Sequence, residues 1–362
     1  MRTIEDFKMS QVSVLKTSSE TVLDDYNKLM NCINYRKYLP TNKTTIIKLN
    51  LSWSLYFPAC STEPWQLEGV LKTMREDGYK DIVAMENKTV VTNPLKGAKQ
   101  NKWLEILEKY DVEFIPLTDV EWVDYIPKNK MLAMDRIFPD GFKIPKPFIG
   151  ANVLHLPTQK THGHTVMTGA MKNAFGGLLR ENRHHSHRYI HEVLVDLLTI
   201  QKEIHTGIFA VMDGTVCGDG AGPRTMIPKI ENYILASADQ VAIDAVSAKM
   251  MGFDPACIDM IRIAHEMGLG CGDPNMIEII GDDISKVNYG FKTSQSIIIQ
   301  GDKLFRKGAL SFFEPILFHT FLFKLPILAS AIYHDNIWYP VIGKKYIKEF
   351  MSTEWGKLFE RY

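Results

Sequence analysis

The sequence predicts an α/β protein with largely parallel sheets and helical crossovers in Rossmann-like layers, followed by an apolar C-terminal extension. From residue 44 onward, apolar runs of strand length alternate with stretches of helical period. Hydrophobic residues make up 45% of the 362, enough for a sizeable core. A second long apolar stretch, residues 312–333, follows the last alternating segment. At roughly 100–200 residues per domain, the length fits two compact units or one large one.

Residues 1–40 are polar and mixed, and read as a helical lead-in. Residues 44–52, TTIIKLNLS, read as a buried strand that opens a first α/β unit over 41–150. After it, Ser61 or Thr62 can cap a helix with Pro64 in its first turn, and Trp65, Leu67, Val70, Leu71 and Met74 carry the period to Gly78. A strand over 81–86, a helix over 101–110 and a strand over 112–117 follow. Residues 120–150, rich in Pro, Lys and Asp, form an excursion. A second α/β unit, 151–300, opens with a strand over 151–157 and carries the His/Lys-rich and Gly-rich loops. Its helix over 186–204 turns Ile190, Val193, Leu194, Leu197 and Leu198 inward. A strand from 207 stops at Asp213; a short strand then leads to a helix from Asp239 that Gly252 ends. Another helix with glycine stops precedes two late strands, 277–283 and 296–300.

The extension, 301–362, holds the apolar stretch 312–333. Glu314, His319 and Lys324 interrupt it, as do Pro315 and Pro326. Its uncharged runs fall short of the ~20 residues a membrane span requires. A buried helical pair is the plainer reading; a membrane-surface or homo-oligomer contact is the alternative.

Lys plus Arg and Asp plus Glu balance at 42 each, which argues against nucleic acid as a partner. The five cysteines, Cys32, Cys60, Cys217, Cys257 and Cys271, include no C-x-x-C pair. Neither a secreted disulfide framework nor a ferredoxin-type, cysteine-ligated iron–sulfur cluster is expected. The first residues lack the apolar core of a signal peptide, so a cytoplasmic location is expected, membrane-peripheral if 312–333 meets a bilayer.

In open parallel sheets, ligands sit beyond the carboxyl ends of the strands. Lys48 and Asn50 end the first strand, and Lys160, His162 and His164 follow the strand at 151. Lys172 and Asn173 stand about a turn into the next helix, and Asp213 ends the strand at 207. Beyond it, CGDGAGPR can aim backbone N–H groups at an anion through Gly218 and Gly220, with Arg224 as a forked partner. It lacks the G-K-[ST] of a Walker loop, and its spacing is not a dinucleotide fingerprint. Lys48, Lys172 and Arg224 would attract an anion, and His162 or His164 would move a proton. Asp213 or Asp219 would orient the imidazole or hold a metal. The plainer readings are capping or surface histidines, a simple tight turn, an inert packing thiol at Cys217 and a core role for His155.

Eight of the eleven histidines lie between His155 and His205. His184, His187 and His191 share one helix face if the helix starts early, and His187 with His191 has the i, i+4 spacing of a metal pair. A divalent or transition metal is therefore a candidate cofactor, against a plain solvated helix start.

At these residues the chain resembles the family catalogued as domain of unknown function 362, over roughly residues 44–285. KLNLS keeps the family's strand-end Lys48 and Asn50, with Leu49 in place of its proline. Thr62, Glu63 and Pro64 match its Thr-x-Pro helix entry. KTHGHTVMTGAMKNAFGG, DGTVCGDGAGPR and ASADQVAIDAVSAKMMGF match its later segments in order. Many members add a cysteine-rich segment suited to iron–sulfur clusters, which this chain lacks. The His-rich loop is also loosely similar to the catalytic part of nickel-dependent lactate racemases. The expectation is an enzyme acting on a small anionic molecule by Lys/His acid–base chemistry, with or without a metal. The alternatives are a non-catalytic metal- or cofactor-binding accessory protein and a membrane-peripheral scaffold.

Overall fold

The structure, a computed structural model, describes residues 9–362 apart from 307 and 319, without the side chains of 181, 182, 184, 185, 311, 315, 318 and 321. Its strands are β1 (Ser10–Lys16), β2 (Thr45–Lys48), β3 (Ile82–Glu86), β4 (Glu113–Pro116), β5 (Trp122–Tyr125), β6 (Phe142–Pro145), β7 (Asn152–His155), β8 (Thr158–His162), β9 (Val166–Met167), β10 (Gly207–Ala221), β11 (Thr225–Ser237) and β12 (Ile277–Gly281). The main sheet runs β12-β1-β11-β10-β7-β2-β3-β4, with β8 beside β10 and β9 beside β8; β5 and β6 form a separate pair. The β10-β7-β2-β3-β4 half is parallel throughout. The fold is thus mixed α/β with a mostly parallel central sheet.

The helices are α1 (Val22–Cys32), α2 (Pro64–Glu76), α3 (Pro94–Gln100), α4 (Trp103–Lys109), α5 (Met134–Ile137), α6 (Ala170–Leu178), α7 (Ile190–Ile204), α8 (Gln240–Met251), α9 (Asp259–Glu266), α10 (Ile297–Arg306), α11 (Glu314–Phe318), α12 (Lys324–Ala331), α13 (Lys344–Met351) and α14 (Glu354–Arg361). One core, on the α6–α9 face of the sheet, gathers Leu194, Leu198 and Val246; the other, against α1, α2 and α4, gathers Tyr26, Trp65 and Trp103. β2 and β7 are buried at every position, which explains their unbroken apolar reading. The segments expected as two successive units share this one sheet, because β2 and β7 pair with Lys48 opposite His155.

Three expected elements differ. The lead-in opens with a strand: Val12 and Val14 of β1 are fully buried, a short period-2 signal hidden by polar flanks. The strand expected to stop at Asp213 continues to Ala221 and returns as β11, with a bulge between Gly214 and Val216 that lets it bend. Of residues 296–300, Ile297 to Gln300 form the start of α10 and not a strand. A short Ile-rich run cannot distinguish the two by periodicity alone.

The C-terminal extension is helical, and no helix among the described residues is long and apolar enough to cross a membrane. Its end packs on the core: Trp355 stands 5.0 Å from Trp65 and donates to Asn232 at 2.7 Å. Residues 312–333 are not a buried pair. Phe312 is 66% exposed, and Leu325 and Leu328 are each 57% exposed.

The start of α6 sets the position of the site. Its first two N–H groups donate to the buried Asp244 carboxylate, Ala170 at 2.6 Å and Met171 at 3.0 Å. Gly169 precedes them at φ 117°, where a side chain would collide with that carboxylate. Burial pushes the Asp244 carboxyl up to about 8 despite these two bonds. Asp244→Ala strands two buried donors, and is expected to lower unfolding stability by about 1–3 kcal/mol, read as a shifted urea midpoint.

Candidate functional site

A cleft of about 650 Å³ opens beyond the carboxyl ends of β2 and β3. It is lined below by Lys48, Asn50, Glu86, His162, His164 and Lys172, and above by α10 and α12. This size is within the range of small-molecule sites. Lys48 and Glu86 end neighbouring strands and pair at 2.8 Å, 1% and 4% exposed. Burial lowers the Lys48 pKa, and Glu86 opposes that shift. Gly176 and Gly177 of α6 lie against this pair, and a Cβ on Gly177 would stand 3.1 Å from Lys48 Cε. Arg183 donates to the carbonyls of Phe175 and Gly176 at 3.3 Å, and to that of Lys88 at 3.2 Å. It thereby covers the last turn of α6.

Lys172 projects from α6 into the cleft. Its ammonium lies 5.4 Å over the Phe175 ring, and among the described residues no carboxylate pairs with it. Burial, then the like charges of Lys160 and Arg183, push its pKa down to about 7. A neutral amine is thus well populated at neutral pH.

The imidazoles form a series. Ring centroids lie 5.8 Å apart for His162 and His164, and 5.4 Å apart for His164 and His187. His162 Nδ1 accepts from the backbone N–H of His164 at 3.1 Å and of Thr165 at 3.4 Å. That assigns the neutral Nε2–H tautomer. Burial, then Lys172, hold its pKa well below the ordinary value, so His162 is a donor in the cleft rather than a base. His164 Nε2 lies 3.6 Å from Asp302 Oδ2 on α10, and burial pushes its pKa down to about 4. Gly163 between them has a direct steric reason: its Cβ would sit 2.6 Å from Ile299 Cδ1 of α10.

Of the residues singled out from sequence, Lys48, Asn50, His162, His164, Lys172, Asn173, His187 and Arg224 meet at this cleft. Asn173 has a positioning role: its Nδ2 donates to the Lys48 carbonyl at 2.9 Å and stands 3.3 Å from His155 Nδ1, tying α6 to β2 and β7. Arg224 bonds Ser330 of α12 at 3.1 Å.

The others lie elsewhere. Lys160 is fully buried behind Asn50, whose Oδ1 it reaches at 2.7 Å; burial pushes its pKa down to about 8. Asp213 sits within the other core, accepting from Tyr26 at 2.6 Å, Trp65 at 2.9 Å and Thr215 at 2.7 Å. Its strand continues past it, so its side chain faces α1 and α2 rather than the strand-end crevice. Gly218 and Gly220 are ladder residues of the β10–β11 hairpin and not an anion loop. At Gly218 a side chain would collide with Met226. Asp219 accepts from the Lys292 N–H at 2.9 Å, outside the cleft.

The metal pairing is not assembled as expected. Residues 181–189 form a 3-10 stretch and α7 starts at Ile190, so His187 and His191 do not share an α-helical i, i+4 face. His191 Nδ1 accepts from Met260 N at 3.2 Å, toward α9. The His184 side chain lies outside the described residues. Among the described residues, no three His, Cys, Asp or Glu side chains converge to hold a metal ion.

Sequence reasoning missed Glu86, Arg183, Asp302 and Arg306. Glu86 left a usable signal, since it ends the strand next to the one ended by Lys48. The others depend on helix packing that no local pattern records.

Fold and cleft together define an α/β protein with a cationic, imidazole-bearing crevice at the carboxyl ends of a parallel sheet. The chain belongs to the family described as domain of unknown function (DUF362), whose model matches residues 45–249. A thylakoid-associated protein of Synechocystis sp. is 24% identical over 214 residues, 58% of this chain and 63% of that protein. The match therefore spans less than two thirds of that relative's length. A crystal structure of a protein from Thermotoga maritima superposes with a TM-score of 0.42 at 10% identity, over 69% of this chain and 59% of the other.

Proposed function

We propose that the chain is an enzyme that binds a small anionic molecule in this cleft and moves a proton on it, with Lys172 as the base. The observation that carries the reading is the Lys172 ammonium, held near pKa 7 in the cleft with no paired carboxylate among the described residues. A base matched to neutral pH can both take and return a proton. Arg224 and the protonated fraction of Lys172 attract the anion; Lys48 adds charge offset by Glu86. The His162 Nε2–H donates to negative charge that develops as the proton leaves, the task a neutral imidazole suits.

The test is hydrogen exchange. A panel of carboxylates and phosphorylated acids is incubated with the protein in D2O, and loss of C–H signal is followed by NMR. The expected result is exchange with at least one acid, increasing with pH through about 7 and lost in Lys172→Met. Absence of both exchange and anion-dependent thermal stabilisation across the panel overturns the proposal.

A cytoplasmic, membrane-peripheral location is proposed on a separate observation. Phe312, Ile316, Leu325 and Leu328 are all more than half exposed on one short segment. The name of the thylakoid-associated relative agrees with that placement.

A further inference from the structure

We infer that the ligand of this cleft is amphiphilic, an anionic carboxylate or phosphate head joined to an aliphatic chain. The inference rests on the acid–base reading of the same cleft and extends it to the substrate class.

The cleft has two chemically different walls. Lys48, Lys172, Arg224 and His162 provide charge and hydrogen-bond donors below. Above, α10, α11 and α12 and their flanks present Ile298, Phe305, Leu317, Phe323 and Ile327. Within that wall Arg306 Nε holds Asp302 at 2.9 and 3.1 Å, and Arg306 is only 3% exposed. A small, wholly polar substrate would leave much of this apolar wall, Ile298, Leu317 and Ile327 included, facing water. A chain attached to the anion would cover that wall while the head stays among the cations.

Two further observations support this assignment. Ile297 and Leu325 both line the cleft and are 71% and 57% exposed, so the apolar wall runs out to the surface and leaves an exit for a longer chain. The wall is also seated directly over the reacting groups, through Ile299 against Gly163 and Asp302 against His164. The lower wall falls almost wholly within the family match of residues 45–249, whereas the apolar wall lies beyond it. A floor shared with the family thus carries a roof that the family model does not describe, and roof chemistry is where substrate choice would be set.

Calorimetry on the full chain tests this with acetate, butyrate, hexanoate and octanoate, and with inorganic phosphate against hexyl and octyl phosphate, all below micelle formation. Each newly buried methylene is expected to tighten binding by about fourfold. Octanoate should therefore bind at least ~100-fold tighter than acetate. Leu325→Ser, at an exposed position that does not threaten folding, should flatten the chain-length slope; Lys172→Met should weaken every member of the series. Equal affinity for acetate and octanoate, and for phosphate and octyl phosphate, overturns the amphiphile and leaves the anion site standing. Binding by no anion of any length overturns the site reading itself. Chain-dependent binding that Lys172→Met does not weaken places the chain elsewhere and also overturns the inference.

Discussion

Lys172→Met is expected to abolish proton exchange by about 10²- to 10⁴-fold while making the protein more stable. Both effects have one physical cause. An unfolded lysine titrates near 10.4, whereas the folded Lys172 is pushed down to about 7. Between those values the unfolded chain holds a proton that the folded chain has released. The Lys172 contribution to stability therefore rises with pH from about 7 to about 10.4, and is at its low, flat level below 7. Methionine removes both the slope and the cost of a charged group in the cleft. Because the side chain is half-buried and keeps contact with cleft water, the gain is expected to be only about 1–2 kcal/mol at pH 7. Urea titrations at pH 6 and pH 9 check it: the difference between variant and parent should shrink at the higher pH. Lys172→Arg separates the two roles of the residue. It keeps the cation and hence anion binding, but a guanidinium stays protonated and cannot serve as a base, so exchange should vanish while binding persists. An unchanged exchange rate in Lys172→Arg would remove Lys172 from the chemistry.

The fold was legible where strands are buried on both faces, as β2 and β7 are at every position, and where helices have a marked start or stop. Pro64 sits in the first turn of α2, Asp239 accepts from Val241 and Ala242 at the start of α8, and Gly252 takes φ 95° at its end. Those signals are local, and tertiary context did not override them. The hairpin was misread because its glycines look like a phosphate loop. Gly218 and Gly222 are instead required by close approach, the first to Met226 and the second to the Thr161 carbonyl. Sequence records the absence of a side chain but not what replaces it. Asp213 was misplaced for a related reason: the strand bends at the Gly214 bulge and continues, so its last apolar residue was not its end.

The site was half legible for a topological reason. Strand order places β2 between β3 and β7, so residues at the ends of β2 and β7 fall together, and that convergence could be argued from the βαβ rhythm alone. Helix-borne partners could not be placed that way. α10 reaches the cleft from more than a hundred residues further along the chain, and read locally as a strand. Its contact with the histidine loop through Ile299 and Asp302 is a packing event between distant segments. For the same reason the apolar run at 312–333 could be identified by composition, but which of its residues reach the cleft could not.

Glu86→Ala is expected to be the most destabilising single change at the site, at about 3–5 kcal/mol. Glu86 and Lys48 are almost completely withdrawn from water, and their mutual bond at 2.8 Å is what offsets the loss of hydration. Removing the carboxylate leaves an ammonium with only the Leu49 carbonyl among the partners that the structure shows for it. Lys48 then releases its proton more readily than it already does under burial. With the folded pKa moved further below the unfolded value, the penalty is largest at low pH and diminishes as pH rises toward 10.4. The double variant Lys48→Met, Glu86→Leu should recover most of the lost stability, because two apolar groups of similar volume need no hydration to replace. Denaturant midpoints for the two singles and the double give the coupling directly. A Glu86→Ala penalty under about 1 kcal/mol would mean that water reaches the pair in solution. The function should follow a different order. Lys48 lies against Gly176 and Gly177, one turn beyond Lys172 on the same helix. The apolar double removes the charges that line the cleft while keeping the helix in place. It should therefore fold like the parent and, because the two charges offset each other, change anion affinity little, which separates what the pair does for stability from what Lys172 and Arg224 do for the ligand.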